Sequence, residues 1–184
     1  MPPVRRKSST SVPYKTHKVK IRSAINSDRP DIASLHIRSW RDAYAGVLPA
    51  SFLGAPLERE LSSYWRDIAI QARDVVLVAE SAYLCGFIAV WCRPMPYIDN
   101  LHVNPSLRSN NIGTTLLTAA AEELMAQGHT PAYLWVFKSN EKAVRFYERM
   151  GGVITEKTPQ DISGYSIPSL KVEWSDLAII GREG

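Results

Sequence analysis

The segment Leu101 to Leu117, LHVNPSLRSNNIGTTLL, constrains this chain most, because it must pass from strand to helix within a few residues. Leu101 and Val103 alternate about His102 as strand residues do, and Pro105 closes that strand because it has no N–H to give a ladder. Ile112, Leu116, Ala120 and Leu124 then recur every fourth residue, with Leu117 and Met125 widening the stripe, so a helix starts near Asn111. In its first turn the backbone N–H groups over Ser109 to Thr114 lack intrahelical acceptors. The helix dipole adds partial positive charge there, which suits a phosphate or pyrophosphate. Arg108 brings a full charge beside the turn, and Gly113, without a Cβ, lets such a group approach the backbone closely.

Either side of this segment, hydrophobic period assigns the elements. Residues 1–17 are rich in Pro, Ser, Thr and basic residues with no apolar period, and read as a disordered basic tail. Lys18 to Ala24 alternates as a strand, and a helix follows over Arg29 to Ala45, started by Ser27 or Asp28 with Pro30 in its first turn. Leu57 to Ala72 has helical spacing. Val75–Glu80 and Leu84–Trp91 read as a hairpin, and Tyr97–Val103 as the next strand. Beyond the helix that ends at Gln127, Ala132–Phe137 is a strand, and Ser139-Asn140 caps a helix with Ala143, Phe146, Tyr147 and Met150 on one face. Val153–Glu156 and Ile167–Trp174 supply two last strands, leaving 176–184 as a C-terminal tail.

Two stretches carry a family resemblance. Arg108-Ser109-Asn110-Asn111-Ile112-Gly113 resembles the Arg/Gln-x-x-Gly-x-Gly/Ala motif of the GNAT superfamily of acyl-CoA-dependent N-acetyltransferases. Asn111 stands where the first glycine usually sits, and asparagine is the non-glycine residue most tolerant of the left-handed conformation. Leu134-Trp135-Val136, Asn140, Ala143, Phe146-Tyr147 and Gly151 match the second motif of that superfamily at its usual spacing. A third stretch, from Ser39-Trp40-Arg41 through Ala43-Tyr44 to Gly46, Leu48 and Pro49, resembles a segment seen in one of its branches. The resemblance covers residues 18–175. It implies a single α/β (α+β) GNAT-type domain, with a mixed, mostly antiparallel sheet of about seven strands flanked by about four helices.

The resemblance also implies roles. Leu101, His102 and Val103 would pair with the pantetheine arm of acetyl-CoA, and Arg108, Ser109, Asn110, Asn111, Ile112, Gly113 and Thr114 would hold its pyrophosphate. Asn140 and Phe146 would line the rest of the coenzyme arm, while Trp40, Tyr44 and Leu48 would form a wall of the acceptor pocket. For Trp40 and Tyr44, one helical turn apart, a plain core role stands beside that reading. Tyr147 is the expected general acid, since a phenol stays protonated at neutral pH and can hand its proton to a thiolate. No carboxylate occupies the positions where family members carry a basic glutamate, which are Tyr97 and Trp135 here. Asp99, two residues from Tyr97 and on the same strand face, is the preferred base; His102 has the opposite parity, and water and Glu80 follow.

Charge and cysteine content narrow the classes. The formal net charge is +4, but seven basic residues and no acidic one fall within residues 1–22, leaving 15 basic against 18 acidic beyond Arg22. A short basic tail without interleaved aromatics does not make a nucleic-acid site. No apolar run approaches the ~20 residues of a membrane span. Cys85 and Cys92 are seven apart and so expected on opposite strand faces, and two cysteines with four histidines form no metal-ligand spacing. The expected location is the cytoplasm; the tail would also suit mitochondrial targeting, which Pro2, Pro3 and Pro13 oppose. The expected activity is acetyl transfer to a primary amine, of a small molecule ahead of a peptide or protein amine. The other reading is a non-catalytic acyl-CoA-binding module. The exposed sheet edge of the family often supports a homodimer.

Overall fold

The computed structural model describes residues 18–181, so the basic tail expected over 1–17 lies outside the described residues. β1 (Lys20–Ser23) is followed by α1 (Arg29–Ala43), α2 (Ala50–Leu53), α3 (Ala55–Asp67), β2 (Val75–Glu80), β3 (Leu84–Cys92) and β4 (Pro96–Val103). Then come α4 (Ile112–Ala126), β5 (Ala132–Phe137), α5 (Glu141–Arg149), β6 (Val153–Lys157), β7 (Gln160–Ile162), β8 (Tyr165–Ile167) and β9 (Ser169–Trp174). Seven strands form one sheet in the order β1-β2-β3-β4-β5-β9-β6, in which only the β4–β5 pair is parallel. This is the mixed, mostly antiparallel sheet that the sequence leads one to expect.

β2 and β3 are apolar along both faces because both faces are covered. Val75, Leu77, Ile88 and Val90 pack against Leu116, Leu117, Ala120 and Leu124 of α4, whereas Val76, Val78, Phe87 and Trp91 pack against Ile32, Leu35 and Trp65 of α1 and α3. α4 comes especially close to β3 at Gly86, where a Cβ would lie 3.1 Å from Leu116 Cδ1 and 3.0 Å from the His102 carbonyl oxygen. That contact sets the N-terminus of α4 beside the end of β4.

Five expectations change. α1 and α3 stop at Ala43 and Asp67, short of residues 45 and 72, and α3 begins at Ala55. The four-residue α2 and the β7–β8 hairpin were not expected. The hairpin turns at Ser163-Gly164, both at positive φ (50° and 86°), the conformation a two-residue turn between twisted strands favours. The strand expected over Ile167–Trp174 is divided at Pro168, which cannot donate to a ladder. Cys85 and Cys92 both contact the α4-side core, because the β2–β3 register slips by one residue at Cys85; both are free thiols. Finally, the chain beyond 175 is not a tail as far as it is described. Leu177 and Ile180 are buried in the main core, and the Leu177 N–H donates to the Thr130 carbonyl at 2.8 Å.

α5 ends at Gly151-Gly152 under close contact with β9. A Cβ on Gly152 would lie 2.5 Å from Val172 Cγ1 and 2.9 Å from the Tyr147 carbonyl oxygen. Gly152→Ala is therefore expected to lower unfolding free energy by about 1–3 kcal/mol in urea titration, with the C-terminal end of α5 displaced.

Candidate active site

β4 is paired with β3 along its length, but on its other side it meets β5 at one register point among the described residues, Tyr97 with Tyr133. Beyond that point the β5-facing edge of β4, through Leu101, His102 and Val103, has no strand partner among the described residues. Those residues sit where an extended ligand could complete the sheet. Directly after this edge comes the turn into α4. Ser109 and Asn111 both adopt positive φ (68° and 58°), Asn111 in the left-handed region for which asparagine is suited. The first bond closing the helix runs from the Thr115 N–H to the Asn111 carbonyl at 2.9 Å. The N–H groups of Ser109, Asn110, Asn111, Ile112, Gly113 and Thr114 donate to no protein acceptor among the described residues. Alternating backbone conformations with free N–H groups at a helix start form a concave anion site.

Two further features border the turn. A Cβ on Gly113 would face Phe146 Cζ at 3.6 Å and Val103 Cγ2 at 3.8 Å, so Gly113 opens onto the gap between β4 and α5. Arg108 is ion-paired with Asp42 near the end of α1. That contact, for which the sequence carries no signal, ties the turn to the helix bearing Trp40.

The β4 strand also carries a bulge. Ala89 pairs with Asn100 and Val90 with Ile98, so Asp99 is the extra residue. The bulge overturns the parity expected for His102: with Phe87 as its partner, His102 lies on the same α1/α3 side of the sheet as Tyr97, which pairs with Trp91. Asp99 also reaches that side. Its Oδ2 accepts hydrogen bonds from the Tyr64 hydroxyl (2.8 Å), Trp91 Nε1 (2.9 Å) and Asn100 Nδ2 (2.7 Å). Burial and the Asp99 charge raise the Tyr64 pKa, so Tyr64 remains a donor.

His102 is held through Nδ1 by Ser39 Oγ of α1 at 2.9 Å, and its ring lies 4.4 Å from that of His36. His36 is buried and accepts at Nδ1 from Trp65 Nε1 at 3.0 Å. Its Nε2 therefore carries the proton, and it has no partner among the described residues. Desolvation, aided by the Arg108 charge, lowers His102 to about 3, and burial holds His36 well below 6.5. Both rings are neutral at physiological pH. Sequence periodicity marks His36 as buried, but its link to Trp65 and the Ser39–His102 bond depend on tertiary placement.

The remaining expected site residues gather around the cleft. Tyr147 is buried on α5 between the Phe146 and Trp174 rings, and burial, reinforced by Tyr44, raises its pKa, so the phenol keeps its proton. Asn140 caps α5 by accepting from the Ala143 N–H at 3.3 Å, and its amide also meets the Tyr44 hydroxyl. Trp40 and Tyr44 form an aromatic cluster with Phe137 at the end of β5, the Tyr44–Phe137 centroids lying 4.5 Å apart. Leu48 is 3% exposed and packs inside the apolar cluster of Phe52, Leu57 and Ile167, so it supports this wall from behind. Among the described residues no group of three His, Cys, Asp or Glu side chains is arranged to hold a metal ion. No described helix is long and apolar enough to cross a membrane.

The model of the acetyltransferase (GNAT) family matches residues 34–152, which span both the β4–α4 turn and α5. The chain belongs to the GNAT family. It is 25% identical over 170 residues to YuaI of Bacillus subtilis, an uncharacterized N-acetyltransferase, covering 88% of this chain and 96% of the relative. In fold it is similar to the PaiA N-acetyltransferase of Thermoplasma acidophilum, solved with coenzyme A, with a TM-score of 0.63, 20% identity, and 84% and 98% of the two chains covered. It is similar too to YncA of Salmonella typhimurium, solved with its cofactor acetyl-CoA, with a TM-score of 0.62, 17% identity, and 86% and 95% covered.

Two outcomes follow from the geometry of this GNAT site. Replacing Asn111 by Gly should leave stability unchanged, while Asn111→Val should cost about 1–2 kcal/mol by thermal melting, because a β-branched residue resists positive φ. The unfolded imidazoles take up a proton near 6.5 and the folded His36 and His102 do not, so stability must fall as pH drops below about 6.5. NMR of the ring protons should show no titration of either histidine between pH 5 and 8.

Proposed function

We propose that the protein is an acetyl-CoA-dependent N-acetyltransferase acting on the primary amine of a small molecule. The observation that carries this reading is the continuity of the unpaired β4 edge with the free N–H groups of Ser109 to Thr114. An extended arm ending in a diphosphate fits both at once. Leu101, His102 and Val103 pair with the pantetheine arm through their backbone. The Ser109–Thr114 turn takes the diphosphate with Arg108 beside it, and Phe146 with Asn140 flanks the arm. Free donors at a helix start and a gap that Gly113 leaves open support that assignment.

When bound, acetyl-CoA supplies the acetyl group as an activated thioester. The protein's own part is to exclude water, orient the amine and manage two protons. Tyr147 holds a phenolic proton for the departing thiolate, and its raised pKa keeps that proton in place at neutral pH. Asp99 accepts the amine's proton, directly or through one water. Trp40 and Tyr44, backed by Leu48, bound the acceptor on the α1 side. The two free cysteines agree with a reducing cytoplasm.

The test is thiol release from acetyl-CoA against a panel of amines, for wild type and Tyr147→Phe. Amine-dependent release should fall by about 10²–10⁴-fold in kcat for the variant, with acetyl-CoA affinity retained. Tight acetyl-CoA binding without release for any amine would favour a non-catalytic acyl-CoA-binding module.

A further inference from the structure

Among the described residues five acidic residues are half-buried overall: Asp28, Asp74, Glu80, Asp99 and Glu173. Four of them have a cation. Asp28 and Glu80 share Arg22, Asp74 is paired with Arg93, and Glu173 with Lys171 at 2.6 Å. Asp99 has none. Its hydrogen-bond partners are neutral donors, among them Tyr64, Trp91 and Asn100 on Oδ2. The Tyr97 phenol also hydrogen-bonds the carboxylate, and Asp99 is half-buried rather than buried, so the residue keeps accessible surface. A partly desolvated carboxylate without a counter-charge is costly unless a cation completes it.

The walls around this carboxylate are aromatic. Tyr64 and Trp91 touch it, and Tyr97, two residues away on the same side, stacks on Tyr133 with centroids 5.0 Å apart. Lys171 Nζ lies 4.9 Å over the Tyr133 ring, so this surface already holds one cation against a π face. Ring faces beside an uncompensated carboxylate favour an ammonium group.

We propose that Asp99 is the docking counter-ion for the acceptor, and that the acceptor is therefore an aliphatic amine arriving as a net cation, without a carboxylate of its own. This rests on the acetyltransferase reading above and names its substrate class. An amino acid would bring its own anion to a site already carrying uncompensated negative charge. Lys171, whose Nζ lies over the Tyr133 ring that stacks on Tyr97, is committed to Glu173.

A matched pair of probes separates the possibilities: n-butylamine, a cation at neutral pH, and 4-aminobutanoate, its zwitterionic counterpart. Calorimetric titration of the full chain with each, in the absence of acetyl-CoA, reads acceptor capture independently of transfer. Wild type should bind n-butylammonium about tenfold or more tighter than the zwitterion, and Asp99→Asn should abolish that difference while its coenzyme A affinity is unchanged. No binding of n-butylammonium, equal binding of the two probes by wild type, or a preference that survives in Asp99→Asn would each overturn the proposal. Turnover of amino acids in preference to n-butylamine would overturn it too, while leaving the transferase reading intact. Failure to bind acetyl-CoA would sink that reading instead.

Discussion

A strand that loses its partner halfway along must offer its remaining backbone groups to something else. Among the described residues β4 pairs with β5 only at Tyr97 and Tyr133, and the bulge at Asp99 re-aims the strand just beyond that point. The other features of the site depend on this divergence. It leaves Leu101 to Val103 with a bare edge, and it brings Tyr97, Asp99 and His102 to one side of the sheet. The chain then runs directly into a helix start with free N–H groups. The close seat of α4 on Gly86 keeps that helix start beside the strand end.

The two sides of the cleft have different chemistry for a structural reason. Toward α4 and α5 the sheet is lined by the main apolar core, and Tyr147 is the polar group buried there. Toward α1 and α3 the cleft floor carries Asp99, Asn100 and the neutral histidines, with aromatic rings around them. The proposed proton donor, Tyr147, and the proposed acceptor, Asp99, thus sit in different packing environments.

Much of this was legible in the sequence. The alternation ending at Val103, the four-residue period from Ile112 and the Asn140 cap with its Phe146-Tyr147 stripe mark the strand, the turn and α5, because local periodicity and capping decide them. Three things were not legible. The bulge reverses the face of His102, and nothing in Pro96 to Val103 announces an extra residue. The Arg108–Asp42 pair and the Ser39–His102 bond join residues more than sixty apart, which only packing brings together. The β7–β8 turn at Ser163-Gly164 did leave a signal, a small turn dipeptide between short alternating runs. The burial of Leu177 and Ile180 was likewise hinted at by their apolar character near an otherwise polar end.

The central claim is that the bare β4 edge and the Ser109–Thr114 turn together form one binding surface for acetyl-CoA. The most direct test is a backbone amide NMR titration with coenzyme A. Saturable shifts should appear together at Leu101 to Val103 and at Ser109 to Thr114, with β1 and β2 unmoved. Shifts confined to other parts of the domain, or none at all, would contradict the account and leave the turn as no more than a helix cap.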